Sequence, residues 1–185
     1  ENIKPALQGR DLGGLARGFD QIVVLRDAVL VYLQKVGRHE FSDLEAGEHA
    51  RLVTATGELE GMAAAISRDL APLVAEFETA KIVLSKETAE LLERLLQAIE
   101  ESARSALHAL VERDEQAAQA VLAKRGEIAG LTAEVQQLQA ARLAQDDPDR
   151  FTKHRLQIEL LDRLRRIYSV SEHMAISVLP RSLLA

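Results

Sequence analysis

Cysteine is absent from this sequence. Disulfides, thiolate metal sites and cysteine nucleophiles are therefore excluded, while the compartment stays open. Aromatic residues supply only 3% of the chain, so any core must be filled by Leu, Ala, Val and Ile. Ala and Leu lose little entropy in helices, so this composition suits helices better than sheets. Four prolines and few Ser/Gly clusters leave little room for long loops. The best apolar run, Ile22 to Leu33, is interrupted by Arg26 and Asp27 and falls short of the roughly 20 residues that span a bilayer. No signal peptide is visible. A basic surplus is also missing: the formal charge is −6 and the pI about 5.4, which argues against a nucleic-acid partner. There is no G-x-S-x-G, P-loop or G-x-G-x-x-G, and the five histidines are scattered without pairing. The sequence thus reads as a protein that is not an enzyme and carries no cofactor.

What is present is amphipathic helix. The fold expected is all-α, an antiparallel up-and-down bundle of about five long helices. A chain of 185 residues is long enough for one substantial core or two small joined ones. The first helix covers Leu15 to Val36, with Leu15, Phe19, Ile22, Val29, Leu33 and Val36 on one stripe and Arg26 breaking it. Gly37 stops it. Ser42 and Glu45 form a capping box for the second helix, whose stripe is Leu52, Ala55, Leu59, Met62, Ile66, Leu70, Leu73 and Phe77. Pro72 lies inside that pattern and predicts a kink. After a connector over 78–84, Ser85 caps a third helix with Leu92, Leu96, Ile99, Ala103, Ala106 and Leu110 in register. Asp114 starts a fourth, carrying Val121, Ile128, Leu131, Val135 and Leu138. Asp147-Pro148 announces a fifth, carrying Leu160, Leu164, Ile167, Ser171, Met174 and Val178 and ending before Pro180. Short connections force antiparallel neighbours. An odd helix count leaves one apolar face seeking a partner, so a two-fold homodimer is expected, with the 15–36 helix in the contact. The alternative is that residues 1–14 fold back over that face.

Few constellations suggest chemistry. Gly57-x-x-x-Gly61 and Gly126-x-x-x-Gly130 predict close backbone approach between packed helices. Glu45, Glu48 and His49 share a helical turn, but no Glu-x-x-His occurs, and a capped, solvated first turn is the better reading. The fifth helix is rich in arginine. Carboxylates four residues earlier offer intrahelical pairs at Asp146–Arg150, Asp149–Lys153, Glu159–Arg163 and Asp162–Arg166. Arg165 and Arg166, with Ser169, flank the apolar stripe where an anionic group or a partner can meet them.

The order of these segments resembles a known family. The closing stretch L-L-D-R-L-R-R-I-Y-S-V-S-E-H-M-A-I-S-V-L-P, Leu160 to Pro180, is similar to the last helix of PhoU-like domains, above all those fused behind bacterial sodium–phosphate cotransporters. E-L-E-G-M-A-A-A-I-S-R-D-L, Glu58 to Leu70, stands where such domains carry "L-E-R-I-G-D". F-D-Q-I at Phe19 to Ile22, with Tyr32-Leu33, resembles the "I-D-x-L … Y-L" helix, and Val111 to Val121 resembles the "D-x-x-x-A-x-x-V" corner. The resemblance runs from Leu15 to Pro180. It implies an irregular segment or helix remnant at 1–14, a first incomplete repeat at 15–77, a second three-helix repeat at 85–179 and a tail at 180–185.

Stand-alone members resemble metal binders through Glu/Asp-x-x-x-Asp pairs. This chain keeps only Asp20 and Glu60 at such positions; their partners are Ala16 and Ala64, and Arg125, Ala129, Arg165 and Ser169 stand in the second repeat. No two of its 29 acidic residues are four apart, so no metal is expected. The resemblance implies a regulatory domain on the cytoplasmic side of the inner membrane. It would modulate a sodium-dependent phosphate transporter by helix-face docking, its partner being a membrane domain upstream of residue 1. That the chain opens on Glu1 rather than Met points the same way. The alternative is a free-standing helical adaptor or dimerisation module unrelated to phosphate.

Overall fold

The computed structural model describes residues 12–82, 84–143 and 150–180. Among them are five helices and no strand. Helix α1 is Leu12–Val36. Helix α2 runs through three consecutive parts, Asp43–Ala64, Ala65–Leu70 and Ala71–Thr79, the middle one π-helical. Helix α3 is Lys86–Glu112, α4 consists of Glu115–Ala123 and Arg125–Leu143 jointed at Lys124, and α5 is Arg150–Val178. The result is the expected all-α bundle. The first helix begins three residues earlier than its stripe suggests. Residues 1–11, the Asp147-Pro148 start signal and the tail beyond Pro180 lie outside the described residues.

The helix ends follow from side-chain capping. Ser42 and Glu45 form the full capping box: Glu45 Oε2 accepts from the Ser42 backbone N–H at 2.9 Å, and Ser42 Oγ accepts from the Glu45 N–H at 3.4 Å. Ser85 accepts from Thr88 N–H, and Asp114 from the N–H groups of Gln116 and Ala117. Arg113 turns the corner between α3 and α4 in the left-handed region, φ 58°, and Asp114 N–H returns to Ala109 O at 3.2 Å. Gly37 has a steric reason. The His49 ring, whose Nε2 lies 2.8 Å from Leu33 O, sits 3.2 Å from where a Cβ at position 37 would stand.

These caps make the fold acid-sensitive. The Ser42 backbone N–H, then its hydroxyl, hold Glu45 below the usual carboxylate range. The Ala117 N–H, more than that of Gln116, does the same for Asp114. A carboxylate with a depressed folded pKa contributes stability above its unfolded value and loses it as pH falls through the folded one. Thermal stability is therefore expected to drop as pH falls below about 4. Asp114→Asn, which keeps the cap oxygen but cannot titrate, should flatten part of that dependence. An acid profile unchanged by Asp114→Asn would show that this cap does not contribute.

Pro72 supplies no N–H and crowds the carbonyl of Arg68. The helix adjusts through the π turn just before it, in which Ala71 N–H bonds back five residues to Ile66 O. A widened turn is thus the form the expected distortion takes.

One core runs through α2 to α5. Its fully buried members include Leu95, Val121, Val135, Leu156, Leu160, Leu161, Leu164 and Met174. Helix α5 lies against α2, α3 and α4 and supplies the largest share. Three buried hydroxyls, Ser102, Thr132 and Ser171, donate to the carbonyls four residues before them. The sequence stripes hold with local shifts. In α3 the buried face centres on Leu95, Ala98 and Ser102, leaving Leu96 and Ala103 half-buried. In α2, Leu52 and Leu59 are exposed and Ile66 is half-buried.

Two expectations need correction. The glycine pairs do not mark close approach: a Cβ at Gly57, Gly61, Gly126 or Gly130 would meet nothing within 4 Å. Helix α1 also differs from its stripe. Phe19 and Leu33 are buried, but Ile22 is exposed and Val29 and Val36 are only half-buried. The helix packs on α2 with a polar fixing. Arg26, the residue that broke the stripe, donates to Glu60 at 2.8 Å, and Arg68 lies 4.3 Å from the Phe19 ring centre.

Candidate functional site: the α4–α5 groove

The second part of α4 lays Arg125, Ala129, Thr132, Ala133 and Gln136 along one face, at helical spacing of three and four. Helix α5 lies alongside with Asp162, Arg165, Arg166, Ser169 and Glu172. Between them runs an open groove of about 730 Å³, floored by Ile128 and Tyr168. Small side chains on the α4 wall leave the space, and long charged ones on α5 rim it. The groove brings together all three anion-contact residues expected from sequence, Arg165, Arg166 and Ser169, and adds Arg125 and Tyr168.

The arginines differ in their engagement. Arg125 Nε donates to Glu172 Oε1 at 2.7 Å. Arg166 pairs with Asp69 of the π turn at 3.1 Å. Arg165 is exposed and has no ion pair among the described residues. The expected intrahelical pairs Asp162–Arg166 and Glu159–Arg163 do not form: Glu159 accepts from Arg155 at 2.9 Å, and Arg166 reaches across to α2. The physical reason is burial. Asp69 is more shielded from water than the exposed Asp162, so less solvent screens its attraction for Arg166. The pairs Asp146–Arg150 and Asp149–Lys153 involve residues outside those described. Tyr168 donates to Val121 O at 3.0 Å. Burial, then the Glu172 carboxylate, push its phenol up to about 12, so it remains a neutral donor at ordinary pH.

Other sequence candidates have structural duties. Glu45 closes the capping box, Glu48 pairs with Arg51 at 2.9 Å and with Arg113, and His49 is held by Leu33 O. Among the described residues no three His, Cys, Asp or Glu side chains gather as a metal site would require. Asp20 and Glu60 fall apart in role: Glu60 takes the Arg26 ion pair, while Asp20 is exposed on α1 and has no ion partner among the described residues.

The sequence reading placed Arg125 beside Ala129, Arg165 and Ser169 only as occupants of the family's acidic positions and not as an anion contact, and it did not single out Tyr168. The available signal was the register of Arg125 with Ala129 and Ala133, an arginine heading a row of small residues. Comparison with family models, with curated proteins and with solved structures finds no match to this chain.

Proposed function

We propose that this chain is a regulatory interaction module of PhoU-like kind, acting on a sodium-dependent phosphate transporter by docking helix surfaces rather than by catalysis. The observation that carries the docking half is the α4–α5 groove, where Arg165 faces solvent with no ion pair among the described residues, beside Arg125 and Arg166. An anionic group presented by a partner segment fits such a rim, because guanidinium forks pair bidentately with carboxylate or phosphate oxygens. The transporter half rests on the segments from Leu15 to Pro180 described above. Among the described residues no helix is long and apolar enough to cross a membrane. In this reading the module sits at the cytoplasmic face of the inner membrane and alters flux without carrying substrate.

The test is sodium-dependent phosphate uptake by the complete transporter. Deleting the module should leave uptake measurable but change its dependence on phosphate concentration. Arg165→Glu with Arg166→Glu should reproduce part of that change while the bundle stays folded, since both side chains flank the core. Unaltered phosphate dependence after clean deletion, or a coding sequence with no membrane spans ahead of Glu1, overturns the reading. A free-standing helical adaptor or dimerisation module then takes its place, a reading that the exposed apolar face of α1 favours.

A further inference from the structure

Helix α1 is apolar on more than one side. The face opposite Phe19 and Leu33 carries Val24, Leu25, Val31 and Tyr32, which are 70%, 64%, 51% and 66% exposed. With Ala28 they form one continuous stripe, since spacings of three and four bring residues to the same side of a helix. Four large apolar side chains in a row are an unusual surface to leave in water.

The stripe is nearly symmetric about Ala28. Val24 and Val31 lie four residues before it and three after. Leu25 and Tyr32 lie three before and four after. Beyond them, Asp20 lies eight before and Lys35 seven after. On a helical wheel Asp20, Val24, Val31 and Lys35 fall to one side of Ala28, with Leu25 and Tyr32 on the other. Neither Asp20 nor Lys35 has an ion partner among the described residues.

A two-fold axis imposes this kind of pattern, because each residue must meet what lies equally far along the opposite copy. Two α1 helices running antiparallel about Ala28 place Val24 against Val31, Leu25 against Tyr32 and Asp20 against Lys35, each twice. The small Ala28 side chain at the crossing permits the shorter end of the 8–10 Å range of helix–helix distances. The charges at the ends are complementary in this orientation and like-paired when the helices run parallel.

We infer that α1 pairs antiparallel with α1 of a second copy of this chain, through Val24, Leu25, Ala28, Val31 and Tyr32. This goes beyond the groove reading and does not depend on what the groove binds.

Sedimentation equilibrium of the 185-residue chain should give twice its 20.4 kDa mass at micromolar concentration. Leu25→Glu with Val31→Glu should give the monomer mass with unchanged helicity, since both sites are exposed. Asp20→Lys and Lys35→Asp should each weaken association about tenfold, and the two together should restore it. Because the chain has no cysteine, Ala28→Cys gives a single thiol that should oxidise to a covalent dimer. Arg104→Cys, on the exposed face of α3, should not. A strict monomer at all concentrations overturns the inference. So does a dimer that survives the double glutamate substitution and leaves Ala28→Cys unlinked, because another face must then hold it.

Discussion

Leu164→Ala is expected to remove about 2–5 kcal/mol of stability, the range found when a fully buried leucine loses its side chain. Leu164 is 1% exposed in the middle of α5, the helix that α2, α3 and α4 all pack against. A cavity left there is enclosed, and the less it collapses the nearer the loss comes to the upper part of the range. For a chain of this size each kcal/mol shifts the melting temperature by roughly 2–4 °C, so a fall on the order of 10 °C is expected by circular dichroism. Ile66→Ala should lose less. The sequence stripe makes the two positions equivalent, but Ile66 is half-buried and lies in the π turn, where the backbone departs from α-helical geometry. Equal losses at both sites would mean that burial does not distinguish them.

The second large effect concerns motion. Backbone amides of α1 are expected to exchange with solvent about a hundredfold faster than those in the middle of α3 and α5, as read by hydrogen exchange with mass spectrometry. Phe19 and Leu33 are the buried hydrophobic residues α1 contributes among those described, and neither joins the main core cluster. Its other attachments include the half-buried Val29 and Val36, the half-buried Arg26–Glu60 pair, the Arg68–Phe19 contact and the His49–Leu33 hydrogen bond. A partly exposed ion pair and a cation–π contact contribute about 1 kcal/mol or less each. These attachments are small against the ordering entropy of 25 helical residues. The helix can therefore open while the rest of the bundle stays closed. Leu25→Glu with Val31→Glu is the chain in which to measure this, because a second copy lying on α1 would slow its exchange by mass action. Exchange in α1 as slow as in α5 in that variant would refute local opening.

Much of the architecture was legible in the sequence, for a definite reason. Capping residues act locally, so Ser42, Ser85 and Asp114 announce helix starts without help from tertiary structure. Buried stripes in α3, α4 and α5 are legible because those helices have one strongly apolar side. Helix α1 is not of that kind. Its stripe does pick the packing side, with Phe19 and Leu33 buried, but Val23, Val24, Leu25, Leu30 and Val31 around the rest of the circumference leave periodicity unable to say how much of the helix the core covers. Glu60 and Arg68 on α2 hold Arg26 and Phe19 on the packing side, and Val24 and Leu25 face outward. Arg166 illustrates the same limit. Its sequence-near partner Asp162 lost to Asp69, nearly a hundred positions away, because only the fold reveals which carboxylate is shielded. Arg165, Arg166 and Ser169 could be singled out on α5 because they flank a clear stripe, whereas their neighbourhood with Thr132, Ala133 and Gln136 of α4 became visible only when the two helices were seen side by side.

The π turn at Ala65–Leu70 also acts as a phase setting for half the bundle. A π turn holds one residue more than the α-helical turn it replaces, so the part of α2 before it is rotated relative to the part after it. Helix α1 is fastened to the first part and the π turn; that first part also lies on α5 and buries Ala55 and Met62 in the core, which the last part joins through Leu73, Val74 and Phe77. Shortening this turn by a single residue would rotate the first part, and α1 with it, by about 100° relative to the last part, and would carry Ala55 and Met62 off the core. The outer face of α1 would then be re-aimed without any change to the residues that compose it. Which way this chain presents α1 to its surroundings is thus encoded in the length of one turn, a property on which insertions and deletions act far more strongly than substitutions.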